Sequence, residues 1–174
     1  MNRWKSRWIL LLTAVAMAGS AQAQVRFRAL GEGNFTAHLT GGQEVPPVTT
    51  RGLGQAAFSV NEDGTEVRFK LLVTNVKDIT QAHIHCGPPG VNGPVVVFLF
   101  GMVSAGVNLT GLLSEGSFTN TNIIARPDSA ACPGGIGSLD DLLAKMRTGG
   151  AYANVHTLVN PGGEVRGLIR PPEE

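Results

Sequence analysis

Hydrophobic and polar residues alternate over several short stretches of the chain, which is the pattern of β-strands with one buried face. In FTAHLT, Phe35, Ala37 and Leu39 alternate with polar residues. The same period of two recurs in AAFSV and EVRFKLLV, and Asp63-Gly64 between these two stretches favours a tight turn. The pattern predicts a first strand followed by an antiparallel hairpin, with alternate residues of 67–73 facing the core.

Two further strands are predicted in the middle of the chain, on either side of a Gly/Pro loop. Residues 79–85 continue the alternation, and PVVVFLF at 94–100 is apolar on both faces, as expected of a strand buried within a sandwich. Residues 116–136 show no clear period, and we expect a loop there.

The last third of the chain carries one helix and another pair of strands. In SLDDLLAKMRTGG, Ser138 can cap a helix over about 138–148, Asp141 has capping-box spacing, and Gly149 suits the left-handed C-terminal position. AYANVHT and EVRGLI lie on either side of the turn Asn160-Pro161-Gly162-Gly163. The pattern therefore predicts an all-β antiparallel sandwich with one inserted helix, not an α/β enzyme fold.

The N-terminus has the organisation of a secretory signal peptide over residues 1–23. Arg3, Lys5 and Arg7 form a basic start, residues 9–15 are apolar, and Ala21-Gln22-Ala23 precedes the expected cleavage at Gln24. The apolar run is shorter than the roughly 20 residues of a membrane-spanning helix, so we expect a mature protein outside the bilayer. Secretion to the periplasm or to the extracellular medium is predicted.

The predicted mature chain has 151 residues, enough for one domain with a sizeable core. We place an N-terminal segment at 24–32 and the domain at 33–171. Loss of the three basic signal residues leaves 11 basic and 13 acidic side chains. Without a basic excess, neither nucleic acid nor an anionic membrane is expected as a partner. The expected partner is instead an unidentified periplasmic or extracellular molecule.

The chain has two cysteines, Cys86 and Cys132. An even number of cysteines in a chain bound for an oxidising compartment favours one disulfide, which would stabilise the fold by about 3 to 4 kcal/mol. The alternative is that Cys86 is a thiolate metal ligand beside the histidines that precede it.

Three segments, in order and spacing, resemble the CHRD domain, a family named for chordin and also found singly in secreted bacterial proteins. They are FTAHLTGGQEVPPVTTRGLGQAAFSV, ITQAHIHCGPPGVNGPVVVFL and GGAYANVHTLVNPGGEVRGLI, and the resemblance runs from about Gly33 to Arg170. It implies an immunoglobulin-like Greek-key sandwich with a distant likeness to copper/zinc superoxide dismutases, and no established activity. Chordin's cysteine-rich modules are absent here, so growth-factor binding is not carried over.

The superoxide dismutase likeness implies a copper or zinc site. A His-x-His pair and a third histidine from a late strand ligate copper in those enzymes, and His83, His85 and His156 match these positions. Residues two apart on a strand share a face and lie about 6.5 to 7 Å apart at the backbone, so a histidine from a neighbouring strand can complete a three-histidine site. Only His38 is left over, which leaves no bridging ligand, and at most a mononuclear site is expected.

The alternative for these histidines is structural. Half-buried imidazoles often satisfy backbone groups of nearby loops, here the loops rich in Gly and Pro. The other polar residues also have two interpretations. Glu44 and Asn154 could orient an imidazole. The alternative is that Glu44 is a solvated loop carboxylate and that the Asn154 side chain bonds to a neighbouring backbone group. Glu164 and Arg166 are expected to form an exposed ion pair.

No sequence motif of a hydrolase, a zinc protease or a phosphate-binding loop occurs. We therefore expect a binding or structural module that is not a catalyst and has no cofactor. The alternative is a mononuclear copper- or zinc-binding protein.

Overall fold

The computed structural model describes residues 35–172 of the chain. The predicted signal peptide, the segment 24–32 and the first two residues of the predicted domain lie outside this range. The described residues form seven strands, two short 3-10 turns and one α-helix. The strands are β1 Phe35–Thr40, β2 Leu53–Val60, β3 Glu66–Cys86, β4 Val95–Phe100, β5 Val107–Thr119, β6 Ala151–Thr157 and β7 Val165–Leu168, and the helix α1 is Leu139–Thr148.

The strands form one antiparallel sheet that closes on itself. β1 pairs with β2 and β7, β2 also pairs with β3, and β3 and β7 both pair with β6. These pairings complete a ring of five strands, and β4 and β5 are added to β3 outside it. The all-β antiparallel prediction is confirmed, and the closure makes the sheet barrel-like.

The length of β3 makes this closure possible. Residues 66–73 of β3 lie between β2 and β5, whereas residues 79–86 lie between β6 and β4. Between the two halves, Asn75 and Asp78 adopt positive φ angles of 56° and 51°, and the register with β5 shifts. Irregular residues of this kind bend a strand, so one strand serves both sides of the barrel.

The alternating residues fill the interior as predicted. The apolar residues of β1 and the alternate residues 67–73 of β3 are buried, and they join a single hydrophobic cluster with Ala82 and Ile84. Burial of apolar surface at about 25 cal/mol per Å² stabilises this arrangement of strands. The histidine face of β3 is consequently the face that points away from Ala82 and Ile84.

The predicted helix is also present. The Ser138 side chain accepts a hydrogen bond from the Asp141 backbone N–H at 3.2 Å, and Gly149 ends the helix in the left-handed conformation with φ 71°. Leu139, Leu142, Leu143 and Met146 form its buried face. No helix of the described residues is long and apolar enough to cross a membrane.

Two local predictions are wrong. β5 occupies residues 107–119, so the first residues of the expected loop 116–136 belong to a strand. β4 pairs only with β3 among the described strands, and Phe98 on it is 50% exposed, so β4 is an edge strand rather than one buried on both faces.

The predicted disulfide is confirmed, since Cys86 and Cys132 are bonded to each other. It ties the end of β3 to the segment before the helix. Because both sulfurs are in the bond, a thiolate ligand at Cys86 is excluded. The histidines remain as the predicted metal ligands.

Candidate metal centre

His83 and His85 lie on the second half of β3 and project from the same face. Both side chains are buried, and their ring centroids lie 5.5 Å apart. The alternation of β3 places them there, because Ala82 and Ile84 occupy the core face.

The third histidine comes from the neighbouring strand. In the antiparallel pairing of β3 with β6, His83 lies opposite Asn154 and Gln81 lies opposite His156. His156 is therefore a diagonal neighbour of His83, within reach of a side chain as large as imidazole. One nitrogen of each of the three rings lies within 4.8 Å of the others, so the three predicted residues do come together. His38, the fourth histidine, is exposed on β1 and takes no part.

Hydrogen bonds to backbone carbonyls fix the orientation of two of the rings. His85 Nδ1 lies 2.9 Å from the carbonyl oxygen of Gly93, and His156 Nδ1 lies 3.0 Å from that of Pro161. A carbonyl can only accept, so each Nδ1 carries the proton and each Nε2 keeps its lone pair. The structural role predicted for these imidazoles is thus real, and it also prepares both Nε2 atoms to bind a metal.

The third ring is held by a contact between imidazoles. His83 Nδ1 lies 3.1 Å from His156 Nε2. Because His156 Nε2 is an acceptor, His83 Nδ1 donates the hydrogen bond when both rings are neutral. The Nε2 atoms of His83 and His85 are buried and have no hydrogen-bond partner among the described residues. Buried nitrogens are seldom left unpaired, and for His85 Nε2, whose ring is fixed at Nδ1, this points to a ligand.

The environment keeps all three rings neutral. Burial, helped by repulsion from the neighbouring imidazoles, lowers the pKa of His83 to about 3. Burial also lowers the pKa of His85 to about 4, although its hydrogen bond to Gly93 opposes this. Burial lowers the pKa of His156 too, against its bond to Pro161. Neutral imidazole is the form that binds metals, so no ring has to lose an imidazolium proton before it binds a metal at pH 7.

Aromatic residues pack around the cluster. The Tyr152 ring stacks on His85 with centroids 4.8 Å apart and an angle of 8° between planes, and its hydroxyl accepts a hydrogen bond from Gly93 N–H at 3.0 Å. The Arg166 guanidinium lies 4.7 Å from the centroid of the same Tyr152 ring. On the other side, the edge strand brings Phe98 to 4.5 Å from His83, edge to face. Sequence reasoning did not single out Tyr152 or Phe98, although both lie in register with the histidines.

Glu44 and Asn154 form hydrogen bonds with each other and, among the described residues, none with the histidine rings. Asn154 Nδ2 donates to both carboxylate oxygens of Glu44, at 3.1 and 3.3 Å. Glu44 is only 5% exposed, so the interpretation as a solvated loop residue is wrong. Burial raises the pKa of the Glu44 carboxyl to about 7, with Arg166 and Asn154 acting in the opposite direction. A buried carboxylate beside the site was not recognisable from a segment rich in Gly and Pro.

The predicted exposed ion pair between Glu164 and Arg166 is also wrong. Both residues are buried, and neither takes part in an ion pair among the described residues. Glu164 accepts hydrogen bonds from Thr50, Thr157 and Asn160. Arg166 donates to the carbonyl oxygens of Gln43 and Val91 and to the side chain of Asn92, and so joins two loops to β7.

The spacing of the three nitrogens suits one ion. In a tetrahedral site with bonds of about 2.1 Å, two nitrogens on the same Zn²⁺ lie about 3.4 Å apart. The three nitrogens here lie within 4.8 Å of one another, so the rings would have to draw closer by up to about 1.4 Å to share an ion. Three protein ligands leave a coordination position for a further ligand.

Comparison with known proteins gives one match. The family model of the CHRD domain matches residues 35–169, which covers nearly all of the described structure. No curated protein and no solved structure matches the chain.

Proposed function

The chain belongs to the CHRD domain family, and from this premise we propose that it is a secreted binding module that holds a single copper or zinc ion. The proposed ligands are His83 Nδ1, His85 Nε2 and His156 Nε2. The single observation that carries the proposal is the convergence of three neutral, buried imidazoles on one point.

The unpaired nitrogens strengthen the proposal energetically. A buried polar atom without a partner costs about 1 to 3 kcal/mol. His85 Nε2 incurs this cost because its ring is fixed by Gly93 at the opposite nitrogen. A metal ion would use that lone pair, and it would also replace the proton between His83 and His156.

The donor set favours particular metals. Three imidazole nitrogens suit Cu²⁺ and Zn²⁺, whereas Ca²⁺ and Mg²⁺ prefer oxygen ligands. Among the described residues no other group of three potential metal-ligating side chains lies close together, which favours a mononuclear site. In the order of stability of divalent metals, copper binds such a site more tightly than zinc.

Secretion is the second part of the proposal. The predicted signal peptide supports it, and so does the buried disulfide, because disulfides persist in oxidising compartments. In such a compartment the site would meet metal ions without competition from the cytosolic thiol pool.

Metal analysis of the protein secreted to the periplasm tests the proposal. We expect one equivalent of copper or zinc in the wild type, and a loss of binding in the His83→Ala/His85→Ala variant. The matched control is His38→Ala, which removes an exposed histidine outside the cluster. Equal metal content in all three proteins would overturn the proposal.

The hydrogen bonds to Gly93 and Pro161 favour a second candidate, a binding module without a metal, in which the histidines only hold the two loops. The same variants separate the two. If the histidines are only structural, the double variant loses stability and the wild type does not bind copper in solution.

A further inference from the structure

We infer that the remaining coordination position of this site takes a small monoanion, such as a halide, azide or formate. The inference rests on the proposed function, and it names the class of ligand that the bound metal ion would accept. The observation behind it is the arrangement of charge around the three histidines.

Among the described residues, no group at the site neutralises a divalent ion. Three neutral imidazoles contribute no charge, and the group of converging ligands contains no carboxylate. The two buried acids are engaged elsewhere, Glu44 with Asn154 and Glu164 with Thr50, Thr157 and Asn160. A buried charge is costly unless it is paired, so a metal ion at this position is stabilised by an anion that neutralises its charge.

Two arginines near the site carry positive charge. Arg166 lies over the face of Tyr152, whose ring stacks on His85. Arg126 donates from Nε to the carbonyl oxygen of Val95 at 2.7 Å, and Val95 is the residue paired with His85 across β3 and β4. Guanidinium groups carry a positive charge. Both arginines therefore favour an anion at the metal.

Steric access restricts the anion to a small one. The three rings are buried, and Phe98 packs edge-on against His83. Phe98 is itself half exposed and lies on the edge strand, so its side chain separates His83 from solvent. Because all three rings are buried, an anion that reaches the metal has to be small.

The test uses the mature protein loaded with one equivalent of Cu²⁺ and titrated with sodium azide, followed by absorption and electron paramagnetic resonance. We expect saturable binding of one azide per copper. Bound azide should also raise the affinity of the protein for copper. The factor should equal the one by which bound copper raises the affinity for azide, because coupling between ligands is reciprocal.

Position 98 provides a pair of matched variants. Phe98→Glu adds a carboxylate beside the site, while Phe98→Gln makes a similar change of size without charge. Because a carboxylate beside the metal repels a second anion, we expect Phe98→Glu to weaken azide binding by about tenfold or more relative to Phe98→Gln. Arg126→Gln should weaken it less, and Arg68→Gln, a change of an exposed arginine on the first half of β3, should leave it unchanged.

Copper content is measured for each variant before azide is added, so the two proposals fail separately. If the wild type binds copper but its spectra do not respond to azide, the anion inference is wrong and the metal site stands. Equal azide affinity in Phe98→Glu and Phe98→Gln would also overturn the inference. Failure of the wild type to bind copper would overturn both.

Discussion

His83 Nδ1 lies 3.1 Å from His156 Nε2, and this contact joins two strands through a pair of neutral imidazoles. The residues are 73 positions apart in the chain. Only one proton can lie between the two nitrogens, and a metal ion bound there would displace it. The contact therefore links three properties of the protein that can be measured, namely stability, proton uptake and metal affinity.

The first prediction concerns the stability of the metal-free protein in acid. The folded-state pKa values of His83 and His85, about 3 and 4, lie below the ordinary value of 6.5, and that of His156 is also lowered. Below pH 6.5 the unfolded chain binds protons that the folded chain does not, so stability is lost as the pH falls. Each histidine contributes about 1.4 kcal/mol per pH unit until its folded pKa is reached.

Urea unfolding at several values between pH 4 and 8 measures this loss. The His83→Ala/His85→Ala variant should show a shallower dependence, because two of the three contributions are removed. The same slope in both proteins would mean that the cluster is protonated in the folded state.

Much of the fold could be predicted because a period of two depends only on neighbouring residues. Phe35 to Leu39 and residues 67–73 alternate, and their burial follows. β5 was not predicted because most of its side chains are partly or fully exposed. Its sequence therefore carries no alternating pattern. The apolar stretch of β4 concealed that Phe98 is exposed, since hydrophobicity alone does not tell an edge strand from a central one.

The site was predictable only in part for a related reason. The sequence places His83 and His85 on one face, but their distance from His156 depends on the register between β3 and β6, which local patterns do not specify. Arg166 is 4% exposed because two loops fold over its strand face. In the sequence, Arg166 alternates with apolar residues, which is also the pattern of a solvent-facing residue on a strand.

The second prediction concerns Glu44, whose pKa is raised by burial from 4.5 to about 7. A raised folded-state pKa means that the folded protein holds the proton more tightly, so its contribution to stability is present below pH 4.5 and is lost as the pH rises to about 7. Relative to Glu44→Gln, which mimics the neutral carboxyl, the wild type should lose up to about 3 kcal/mol between pH 4.5 and 8.

Unfolding of both proteins at pH 5 and pH 8 checks this prediction, with Glu62→Gln as the control for an exposed carboxylate. The difference in the free energy of unfolding between wild type and Glu44→Gln should change with pH, and the Glu44→Gln variant should be the more stable protein at pH 8. A wild type that is more stable at pH 8 by the same margin as at pH 5 would show that the Glu44 charge is fully compensated.

The third prediction concerns the disulfide between Cys86 and Cys132, which are 46 residues apart. In the chain-entropy model a loop of this length stabilises the fold by about 4 kcal/mol. Cys86→Ser/Cys132→Ser should lower the free energy of unfolding by about this amount, and it should also weaken copper binding because Cys86 follows His85 in β3. If chemical denaturation of wild type and variant coincides without reductant, the bond does not form in solution.

The last prediction concerns Tyr152 as the residue that positions His85. Its hydroxyl accepts a hydrogen bond from Gly93 N–H, the carbonyl of Gly93 accepts one from His85 Nδ1, and the Tyr152 ring stacks on His85. Tyr152→Phe keeps the stacked ring but removes the support of Gly93. Groups that orient metal ligands typically change affinity about 10- to 100-fold, so we expect a loss of about tenfold in copper affinity and a larger loss in Tyr152→Leu.

A double-mutant cycle separates this role from a general effect on folding. In the His85→Ala background, Tyr152→Phe should cause no further change in residual copper affinity, because the ring that it orients is absent. Isothermal titration gives the affinities, and electron paramagnetic resonance of the bound Cu²⁺ reports any change in its ligand field. If Tyr152→Phe lowers copper affinity equally with and without His85, the tyrosine acts through the fold and does not position the ligand.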